Sequence, residues 1–411
     1  MNSLKIKIDH LNDFGDGVAF SSDDKKIFIP YVIEGEEVEA ELILEKKDFS
    51  RAKMTNIISP STERVEAPCI YYNKCGGCNL QHLSQQRYFK FKERILENIL
   101  RKTGFSVPKS EIYYIGEGTR HRAHFKVKNN KIGYYRHASS EVIAIDKCLV
   151  LNSTLNNIIN LLNKVLSKIG NNKINDIALT SCDNGVDCLF SIADQLTLNE
   201  KNIIIGLISN SAIIRMSYKI NDFIETFYLK EMPQTTIAGY KINIPQNSFL
   251  QASPESISIM ANIITKYSAS YKNVADLFAG FGSYGYVLCK NAHVTSYEEN
   301  FLMVKTINES ALQYNLNIKG SSRDLFKKPL KRAELSNFDL IIINPPRAGA
   351  AKQIENFRNT DIIMISCNPI TFVKDAKILK ENGYIMQNLY GIDQFHWTNH
   401  LELVAFFKAP N

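Results

Sequence analysis

Three short segments in the last third of the chain consist almost entirely of apolar residues, with helix-like stretches between them. They read NVADLFAG from residue 273, FDLIIINPP from residue 338 and DIIMISCN from residue 361. Continuous apolar runs of this length are typical of strands covered on both faces, as in a parallel sheet. The pattern, which begins near residue 255, therefore predicts a doubly wound α/β domain, and we place that domain at residues 241–411.

The first of these strands runs into a glycine-rich turn, with Gly280 and Gly282 before a predicted helix. Glycine lets a backbone approach a ligand closely at the N-terminus of a helix. The next strand, HVTSYEE, ends in Glu298, which is placed to accept hydrogen bonds from the hydroxyls of a ribose. A nucleoside ligand is favoured, although Gly285 completes G-x-G-x-x-G and the spacing alone does not exclude a dinucleotide.

Polar or reactive residues follow the later strands as well. Asn344 opens the stiff segment NPPR, and Cys367 follows MIS at the end of the next strand. A single cysteine is most often a small buried hydrophobe, but its position at a strand end favours a nucleophile. The closing hairpin contains His396, His400 and Glu402, and desolvating a carboxylate just before VAFF would be costly without a role. Glu402 is therefore the candidate general base.

The chain before this domain divides into two predicted regions. Residues 1–60 alternate apolar and polar positions, which predicts a small antiparallel barrel of about five strands of the oligonucleotide-binding type. SPSTERVEAP would be a linker. Within the central mixed α+β region, 61–240, we expect a helix ending at Gly104 and a hairpin turning at Asn129-Asn130.

Positive charge is concentrated in one part of the central region. The formal net charge is +7, and residues 79–145 carry 13 Lys/Arg against 5 Asp/Glu, interleaved with aromatic residues. This composition suits a surface that binds phosphates and stacks on unpaired bases, although a solvated basic face would look similar. Arg120 and Arg122 are the candidate RNA contacts. No apolar run is long enough for a membrane span or export signal, so we expect a cytosolic protein.

The segment CIYYNKCGGCNLQH contains three of the eight cysteines, Cys69, Cys75 and Cys78. Disulfides are uncommon in a reducing compartment, so clustered thiols indicate a metal or cluster site. From the spacing alone, zinc and an iron–sulfur cluster are equally compatible.

Several motifs in order along the chain resemble the bacterial RNA uracil-5-methyltransferase family. They are CIYYNKCGGCNLQH, GYYRHASSEVIAIDKC, NSFLQAS, DLFAGFG, NPPRAG, SCNP and HLELVAFF. The resemblance spans nearly the whole chain. It implies that the N-terminal barrel is a TRAM domain and that the C-terminal domain is a Rossmann-like class I methyltransferase. In the 23S rRNA branch of the family, four matching cysteines hold a [4Fe-4S] cluster, here Cys69, Cys75, Cys78 and Cys148.

The resemblance also implies the chemistry. A Cys367 thiolate adds to C6 of uracil, C5 takes a methyl group from S-adenosylmethionine, and Glu402 removes the C5 proton. Phe249 would stack on a displaced nucleotide. The implied cofactor contacts are Gln251, Phe278, Gly280, Gly282, Ser283, Glu298, Asp324 and Asn344. Two positions depart from the family pattern: Asn344 stands where Asp is usual, which weakens the expectation of turnover, and Ala279 stands where Cys is usual.

The expected function is methylation of C5 of a uridine in 23S rRNA by a monomeric cytosolic enzyme. A tRNA uracil-5-methyltransferase is an alternative, but that branch generally lacks the cluster cysteines and the barrel. A non-catalytic iron–sulfur RNA-binding protein is a second alternative, which the intact Cys367 and Glu402 disfavour. A third, an NAD-dependent oxidoreductase, is disfavoured by the NPPR segment.

Overall fold

The computed structural model describes residues 3–108, 110–169 and 173–410. These residues form two compact units, each assembled from segments that are distant in sequence. The first comprises the chain up to Ile95 with Tyr134–Ile143 and Phe395–His400. The second comprises Leu96–Gly133, Ala144–Gln394 and the chain from Leu401 onward. The domain boundaries at residues 60 and 240 stay predictions.

A six-stranded sheet begins the first unit, in the order β1-β5-β6-β4-β3-β2. Alternating burial, as in β4, where Ile27 and Ile29 are buried and Lys26 is exposed, produces its apolar core. The sheet has one strand more than predicted, and its β4–β6 pair is parallel. Its assignment to the oligonucleotide-binding or TRAM class stays a prediction. The strands are β1 (Ser3–Lys7), β2 (His10–Leu11), β3 (Gly17–Phe20), β4 (Lys26–Ile29), β5 (Glu37–Glu45) and β6 (Phe49–Ser59).

The segment predicted to be a linker, residues 59–68, is held by a buried ion pair. The Arg64 guanidinium donates from Nε and Nη2 to the two carboxylate oxygens of Glu36, at 2.6 and 2.7 Å. Glu36 also accepts the backbone N–H of Ser61. Burying the Glu36 carboxylate requires these partners, so the segment is fixed to the sheet and the linker prediction was wrong.

The helix and the hairpin predicted in the central region are both present. Helix α1 (Gln85–Thr103) ends one residue before the predicted Gly104, and strand β7 (Ser110–Tyr114) follows it. Strands β8 (Arg122–Lys128) and β9 (Lys131–Tyr135) turn at Asn129 and Asn130, whose φ angles are 51° and 57°. Two left-handed residues in a row are what a two-residue hairpin turn of this hand requires, and Asn tolerates them.

A seven-stranded sheet, ordered β10-β9-β8-β11-β12-β13-β14, forms the middle of the chain. Helix α2 packs its apolar face on α3 and β11. Two further strands, β15 (Gln234–Ile237) and β16 (Tyr240–Asn243), form a separate hairpin. The elements are β10 (Val142–Ala144), α2 (Ser153–Ile169), β11 (Ile174–Cys182), β12 (Gly185–Ile192), α3 (Leu198–Ile208), β13 (Ile213–Ile220) and β14 (Phe223–Leu229).

The C-terminal part forms an eight-stranded sheet in the order β19-β18-β17-β20-β21-β23-β22-β7. Strands β17 to β21 are parallel, whereas β23 is antiparallel to both of its neighbours. Strand β7, from the central region, pairs with β22. The elements are α4 (Pro254–Ser268), β17 (Asn273–Leu277), α5 (Ser283–Leu288), β18 (His293–Glu298), α6 (Phe301–Tyr314), β19 (Ile318–Ser322), α7 (Arg332–Leu335), β20 (Leu340–Ile343), α8 (Ala351–Ile354), β21 (Asp361–Ser366), α9 (Pro369–Glu381), β22 (Ile385–Asp393) and β23 (Glu402–Lys408).

This sheet confirms the α/β architecture predicted from the apolar runs. Every residue of β20 and β21 is buried, as expected of central parallel strands covered by helices. Among the helices that the structure describes, none has the length and apolarity needed to cross a membrane.

A buried ion pair links the central sheet to the segment that leads toward Gln251. Arg215 on β13 lies opposite Asp187 on β12 and bonds both of its carboxylate oxygens, at 2.6 and 2.8 Å. The same guanidinium donates to the carbonyl oxygens of Ile244 and Pro245. Arg215 thus connects strand pairing to the position of the following loop.

We predict that Arg215→Ala lowers the free energy of unfolding by roughly 3–5 kcal/mol, because it leaves the Asp187 carboxylate largely buried without its partner. Urea denaturation measures this loss. Adding Asp187→Ala should recover part of it, since no unpaired charge then remains. A single variant as stable as wild type would contradict the prediction.

Candidate active site

The residues predicted to form the site lie at one edge of the C-terminal sheet. Strands β17, β18, β20 and β21 are parallel, so the turns at their carboxyl ends share that edge. Strand β23 runs in the opposite direction beside β21, with Leu403 opposite Ser366. Its first residue, Glu402, therefore lies at the same edge as Cys367.

The turn after β17 has an unusual backbone that brings it against Glu298. Phe278, Gly280 and Gly282 all have positive φ angles, of 59°, 58° and 92°. A left-handed Phe is strained, which is typical of functional turns. The Gly280 N–H donates to a carboxylate oxygen of Glu298 at 3.0 Å. The other oxygen accepts the N–H of Asn300, and both retain capacity for ligand hydroxyls.

Gly285 has a packing role in this turn. A Cβ on Gly285 would lie 2.5 Å from Ile318 and 2.9 Å from the Ser296 hydroxyl oxygen, so only glycine lets α5 approach the sheet this closely. The G-x-G-x-x-G spacing thus reflects helix packing at its third position.

An apolar cleft of about 220 Å³ opens beside this turn. The rings of Phe278 and Phe326 lie 5.2 Å apart along its wall. Ser283 is the first residue of α5, and Asp324 follows β19 at the same edge of the sheet. Asp324 accepts two backbone N–H groups and pairs with Lys327 at 2.8 Å, and the pKa of its carboxyl is lowered by these contacts.

Asp276, beneath the glycine turn, is completely buried. Burial raises the pKa of its carboxyl to about 7, although Ser296 donates a hydrogen bond to one oxygen. The other oxygen has no hydrogen-bond partner among the residues that the structure describes. An unpaired buried carboxylate oxygen is costly, so Asp276 is neutral in part near pH 7.

Cys367 is half-buried and has two charged groups close to it. Burial raises the pKa of its thiol, the Glu402 carboxylate raises it further, and Arg347 lowers it through charge and a hydrogen bond. Asn368 joins the two loops, because its side-chain amide donates to the Arg347 carbonyl oxygen at 2.9 Å. Asn344, at the start of the same loop, donates its backbone N–H to the carbonyl oxygen of Leu277.

Glu402 is buried, with 2% of its surface exposed. Burial raises the pKa of its carboxyl to about 7, and this rise is opposed by a hydrogen bond from Gln394 and by the charge of Arg347. The Gln394 amide lies 2.8 Å from Oε2 of Glu402. A carboxyl with a pKa near neutrality can both accept and release a proton, as a general base must do in each turnover.

Gln251, predicted to contact the cofactor, belongs to the same polar group. Its side chain accepts a hydrogen bond from Gln394 at 3.1 Å and donates one to the Tyr284 hydroxyl at 3.1 Å. Its backbone carbonyl oxygen lies 2.7 Å from the ring of buried His121. Gln251 and Glu402 are therefore both hydrogen-bonded to Gln394.

Phe249 is 61% exposed, and the Arg122 guanidinium lies 4.5 Å from the centre of its ring. Arg122 also donates to the carbonyl oxygen of Leu250, and burial lowers the pKa of its guanidinium to about 10. Arg120 donates to the carbonyl oxygen of Arg122. The two arginines, predicted to contact RNA phosphates, thus have intramolecular partners, and Arg122 supports the Phe249 ring.

The cysteine segment lies in the first unit. Tyr72 and Cys75 donate their backbone N–H groups to Cys69 and Tyr71, and Gly77 donates to the Cys75 sulfur at 3.4 Å. Burial raises the pKa of the Cys75 thiol. Such an N–H···S contact is common around cluster sulfurs.

Cys148, in the second unit, is held by Asn156, which bonds its backbone N–H and carbonyl. Four thiolates suit a [4Fe-4S] cluster or zinc. Within residues 3–108, 110–169 and 173–410, however, no group of three or more His, Cys, Asp or Glu side chains is arranged to hold a metal. The donor types fit the expected cluster.

Sequence reasoning singled out Cys367 and Glu402, which the fold places at one edge of the sheet, and it missed the residues that shift their pKa values. Arg347 lies inside the quoted NPPR motif, and Gln394 lies two residues before His396 in the closing segment. The two histidines belong to the first unit, where His396 contacts Trp397. Interpreting residues 385–408 as an antiparallel hairpin could have indicated Gln394, since residues on the two sides of the connecting loop lie close together.

Comparison with known proteins finds similarity to RNA methyltransferases. A family model described as tRNA (Uracil-5-)-methyltransferase matches residues 292–409. An uncharacterized RNA methyltransferase of Mesorhizobium japonicum is 28% identical over 99% of this chain and 98% of its own length. A 23S rRNA (uracil(1939)-C(5))-methyltransferase, RlmD, of Shewanella amazonensis is 27% identical over 99% of this chain and 96% of its own length.

The crystal structure of Pyrococcus abyssi tRNA (uracil-54, C5)-methyltransferase with S-adenosyl-L-homocysteine shares the fold. Its TM-score is 0.79 at 22% identity, over 98% of this chain and 99% of that one. This likeness establishes the fold of the chain. The family model and the curated relatives, which align along nearly the whole chain, support the RNA uracil-5-methyltransferase family that the motifs indicated.

The charges around Cys367 give a prediction that needs no substrate. Arg347→Ala should raise the pKa of the Cys367 thiol, and Glu402→Gln should lower it, because they remove opposite charges. We expect alkylation of Cys367 by iodoacetamide, followed by peptide mass spectrometry, to shift to higher pH in the first variant and to lower pH in the second. Cys182, half-buried in the central sheet, serves as the internal reference. Superimposable pH profiles in the three proteins would contradict the assignment.

Proposed function

We propose that this enzyme methylates C5 of a uridine in 23S rRNA, using S-adenosylmethionine as methyl donor and a covalent adduct between Cys367 and C6 of the base. The observation that carries the proposal is the pairing of Cys367 with Glu402 at the sheet edge. The two groups are close enough for the carboxylate to raise the pKa of the thiol. A nucleophile and a base are the two functions that this reaction needs.

The glycine turn and Glu298 form the proposed cofactor side of the site. S-adenosylmethionine supplies the methyl group. Glu298 would accept hydrogen bonds from its ribose hydroxyls, as an acidic residue does at this position of nucleotide-binding α/β folds. The apolar cleft beside Phe278 and Phe326 suits a flat aromatic ring. Gln251, Gly280, Gly282, Ser283, Asp324 and Asn344 complete the proposed contact set.

Cys367 would start the reaction by attacking C6 of the uracil. The C5 carbon of uracil is a weak nucleophile, and addition of a thiolate at C6 converts the ring to an enolate that is nucleophilic at C5. Arg347 assists, because its positive charge favours the thiolate. The C5 carbon then takes the methyl group.

Glu402 would complete the reaction. Its carboxylate removes the C5 proton, the electron pair of the C5–H bond forms the C5=C6 double bond, and the Cys367 thiolate leaves C6. A pKa of about 7 lets this carboxyl act as base and then return the proton to solvent near neutral pH. The target base must leave its stack to reach these groups.

The exposed Phe249 ring is suited to receive a displaced base. Arg122 covers one side of the ring, and base–aromatic stacking on the other is worth roughly 1–3 kcal/mol per base.

The preference for 23S rRNA rests on the cysteine segment and on the RlmD relative, which aligns along almost the whole chain. Transfer RNA is the second candidate, favoured by the family model and by the archaeal structural neighbour.

For the four cysteines we propose a [4Fe-4S] cluster held by Cys69, Cys75, Cys78 and Cys148. Thiolate donors and the N–H···S contact from Gly77 support it. No reaction step requires the cluster, and its proposed role is to fix RNA-binding segments.

The direct test is transfer of labelled methyl groups to undermodified ribosomal RNA and to tRNA. Wild type should label C5 of a uridine in the ribosomal RNA. Cys367→Ala should abolish labelling, whereas the control Cys182→Ala should retain it. Glu402→Gln should slow turnover by roughly 10²–10⁴-fold and accumulate a covalent enzyme–RNA adduct.

The wild-type rate should fall as pH drops below about 7, because the Glu402 carboxylate becomes protonated.

If tRNA alone is labelled, the proposed substrate is wrong and the proposed reaction at C5 of uridine stands. If neither RNA is labelled while the protein still binds RNA, the methyltransferase proposal fails, and Asn344, which stands where the family usually has Asp, becomes the first residue to revert.

A second test concerns the cluster. Anaerobically purified wild type should contain four iron and four sulfide ions per chain, with a broad visible absorption that Cys75→Ser removes. Cys289→Ser, which changes a buried cysteine elsewhere, is the control. Stoichiometric zinc without sulfide would contradict the cluster assignment.

A further inference from the structure

Gln394 lies at the centre of a buried polar chain. It immediately follows β22, and 4% of its surface is exposed. Its side-chain nitrogen lies 2.8 Å from Glu402 Oε2 and 3.1 Å from Gln251 Oε1. Its side-chain oxygen accepts the backbone N–H of Ala252 at 3.1 Å. All three hydrogen bonds are within the usual range for N–H···O contacts.

The contact with the Ala252 backbone determines the donor and the acceptor in each hydrogen bond of this polar network. A backbone N–H can only donate, so the Gln394 atom facing Ala252 must be the amide oxygen. The amide nitrogen then faces Glu402 and Gln251 and gives one proton to each. Because Gln251 accepts through its oxygen, its own nitrogen faces the hydroxyl of Tyr284, as observed. Oε2 of Glu402 is therefore always an acceptor toward Gln394.

Three other ionisable groups, Arg347, Cys367 and Tyr284, interact electrostatically with the Glu402 carboxylate. Arg347, from the loop after β20, favours the carboxylate. The carboxylate opposes ionisation of Cys367, after β21, and of Tyr284, on α5. Arg347 is exposed, so solvent and salt screen its charge. Gln394 is buried and donates directly, and it therefore replaces the water that burial has removed from the carboxylate.

We propose that Gln394 is a positioning residue for proton abstraction from C5: it orients the Glu402 carboxylate and ties it to Gln251 on the cofactor side of the site. The inference rests on the proposed function, because it assigns Gln394 to the base-dependent step of that reaction. Gln394 does not touch the substrate in this role. It leaves one oxygen of Glu402 to receive the proton, while the other is held by the amide.

The role makes a step-specific prediction. Addition of the Cys367 thiolate and methyl transfer to C5 do not need Glu402 as a base. Removal of the C5 proton, with return of its electron pair to the C5=C6 bond and loss of the thiolate from C6, does need it. Losing Gln394 should therefore slow resolution of the methylated adduct more than its formation.

The test compares wild type with Gln394→Met and Gln394→Glu. Methionine is similar in length and donates to neither partner. Glutamate keeps an acceptor for the Ala252 N–H. When ionised it removes the donor to Glu402 and adds a negative charge beside it, so it should raise the pKa of Glu402 by both routes if the Met variant does not fold. Far-ultraviolet circular dichroism and S-adenosylhomocysteine binding establish that each variant retains its fold and cofactor site.

We expect the pH midpoint of single-turnover product release to rise by about one unit or more in both variants, because an ionised group loses a hydrogen-bond donor. The covalent enzyme–RNA adduct, detected on a denaturing gel, should accumulate near neutral pH and disappear as pH rises. Thr360→Val serves as a control for loss of a buried side-chain hydrogen bond, since the Thr360 hydroxyl donates to the carbonyl oxygen of Phe338 at the opposite end of β21 from Cys367.

An unchanged pH midpoint with no adduct accumulation, in a folded Gln394 variant, would overturn the inference. Reduced stability without either kinetic change would assign Gln394 a structural role and overturn it as well. Failure of the proposed function has a different signature, because wild type itself would then methylate no uridine.

Discussion

Burial of the parallel strands on both faces is the constraint on which this site depends. Strands β20 and β21 expose none of their residues, so polar groups can be placed only where the strands end. The turn after β17, the loop after β20, Cys367 after β21 and Glu402 at the start of β23 therefore meet at one edge. The candidate reactive groups are therefore close together at the ends of these strands.

Desolvation has a second effect at this edge, since it brings carboxyl pKa values close to neutrality. Glu402 and Asp276 are both buried, and burial raises the pKa of each to about 7. They differ in their partners: Glu402 has a donor in Gln394 and a cation nearby in Arg347, whereas Asp276 has one oxygen unsatisfied among the described residues. Burial thus sets the range in which both acids titrate, and their neighbours determine which one is equipped to exchange protons.

The parts of this structure that follow from local periodicity could be predicted from the sequence. The apolar runs predicted the parallel strands, Asn129-Asn130 predicted the hairpin, and Gly280 and Gly282 predicted the tight turn before α5. Features that depend on contacts between distant segments could not be predicted in this way. The pairing of Arg64 with Glu36 fixes a segment that reads as a linker, and Arg122 binds a loop more than a hundred residues away. Composition records the charge of such residues and gives no information about their partners.

Strand β7 has a consequence for how this chain can be divided. It comes from the region upstream of residue 240, yet it lies beside β22 at the border of the C-terminal sheet, with Ile112 opposite Gly391. A fragment that began at residue 241 would leave the backbone N–H and C=O groups of β22 unpaired along one side. Open strands of this kind recruit other chains, so such a fragment would tend to self-associate. The catalytic sheet is therefore complete only in a chain that keeps the upstream region, and any rearrangement of these parts would have to carry β7 with it.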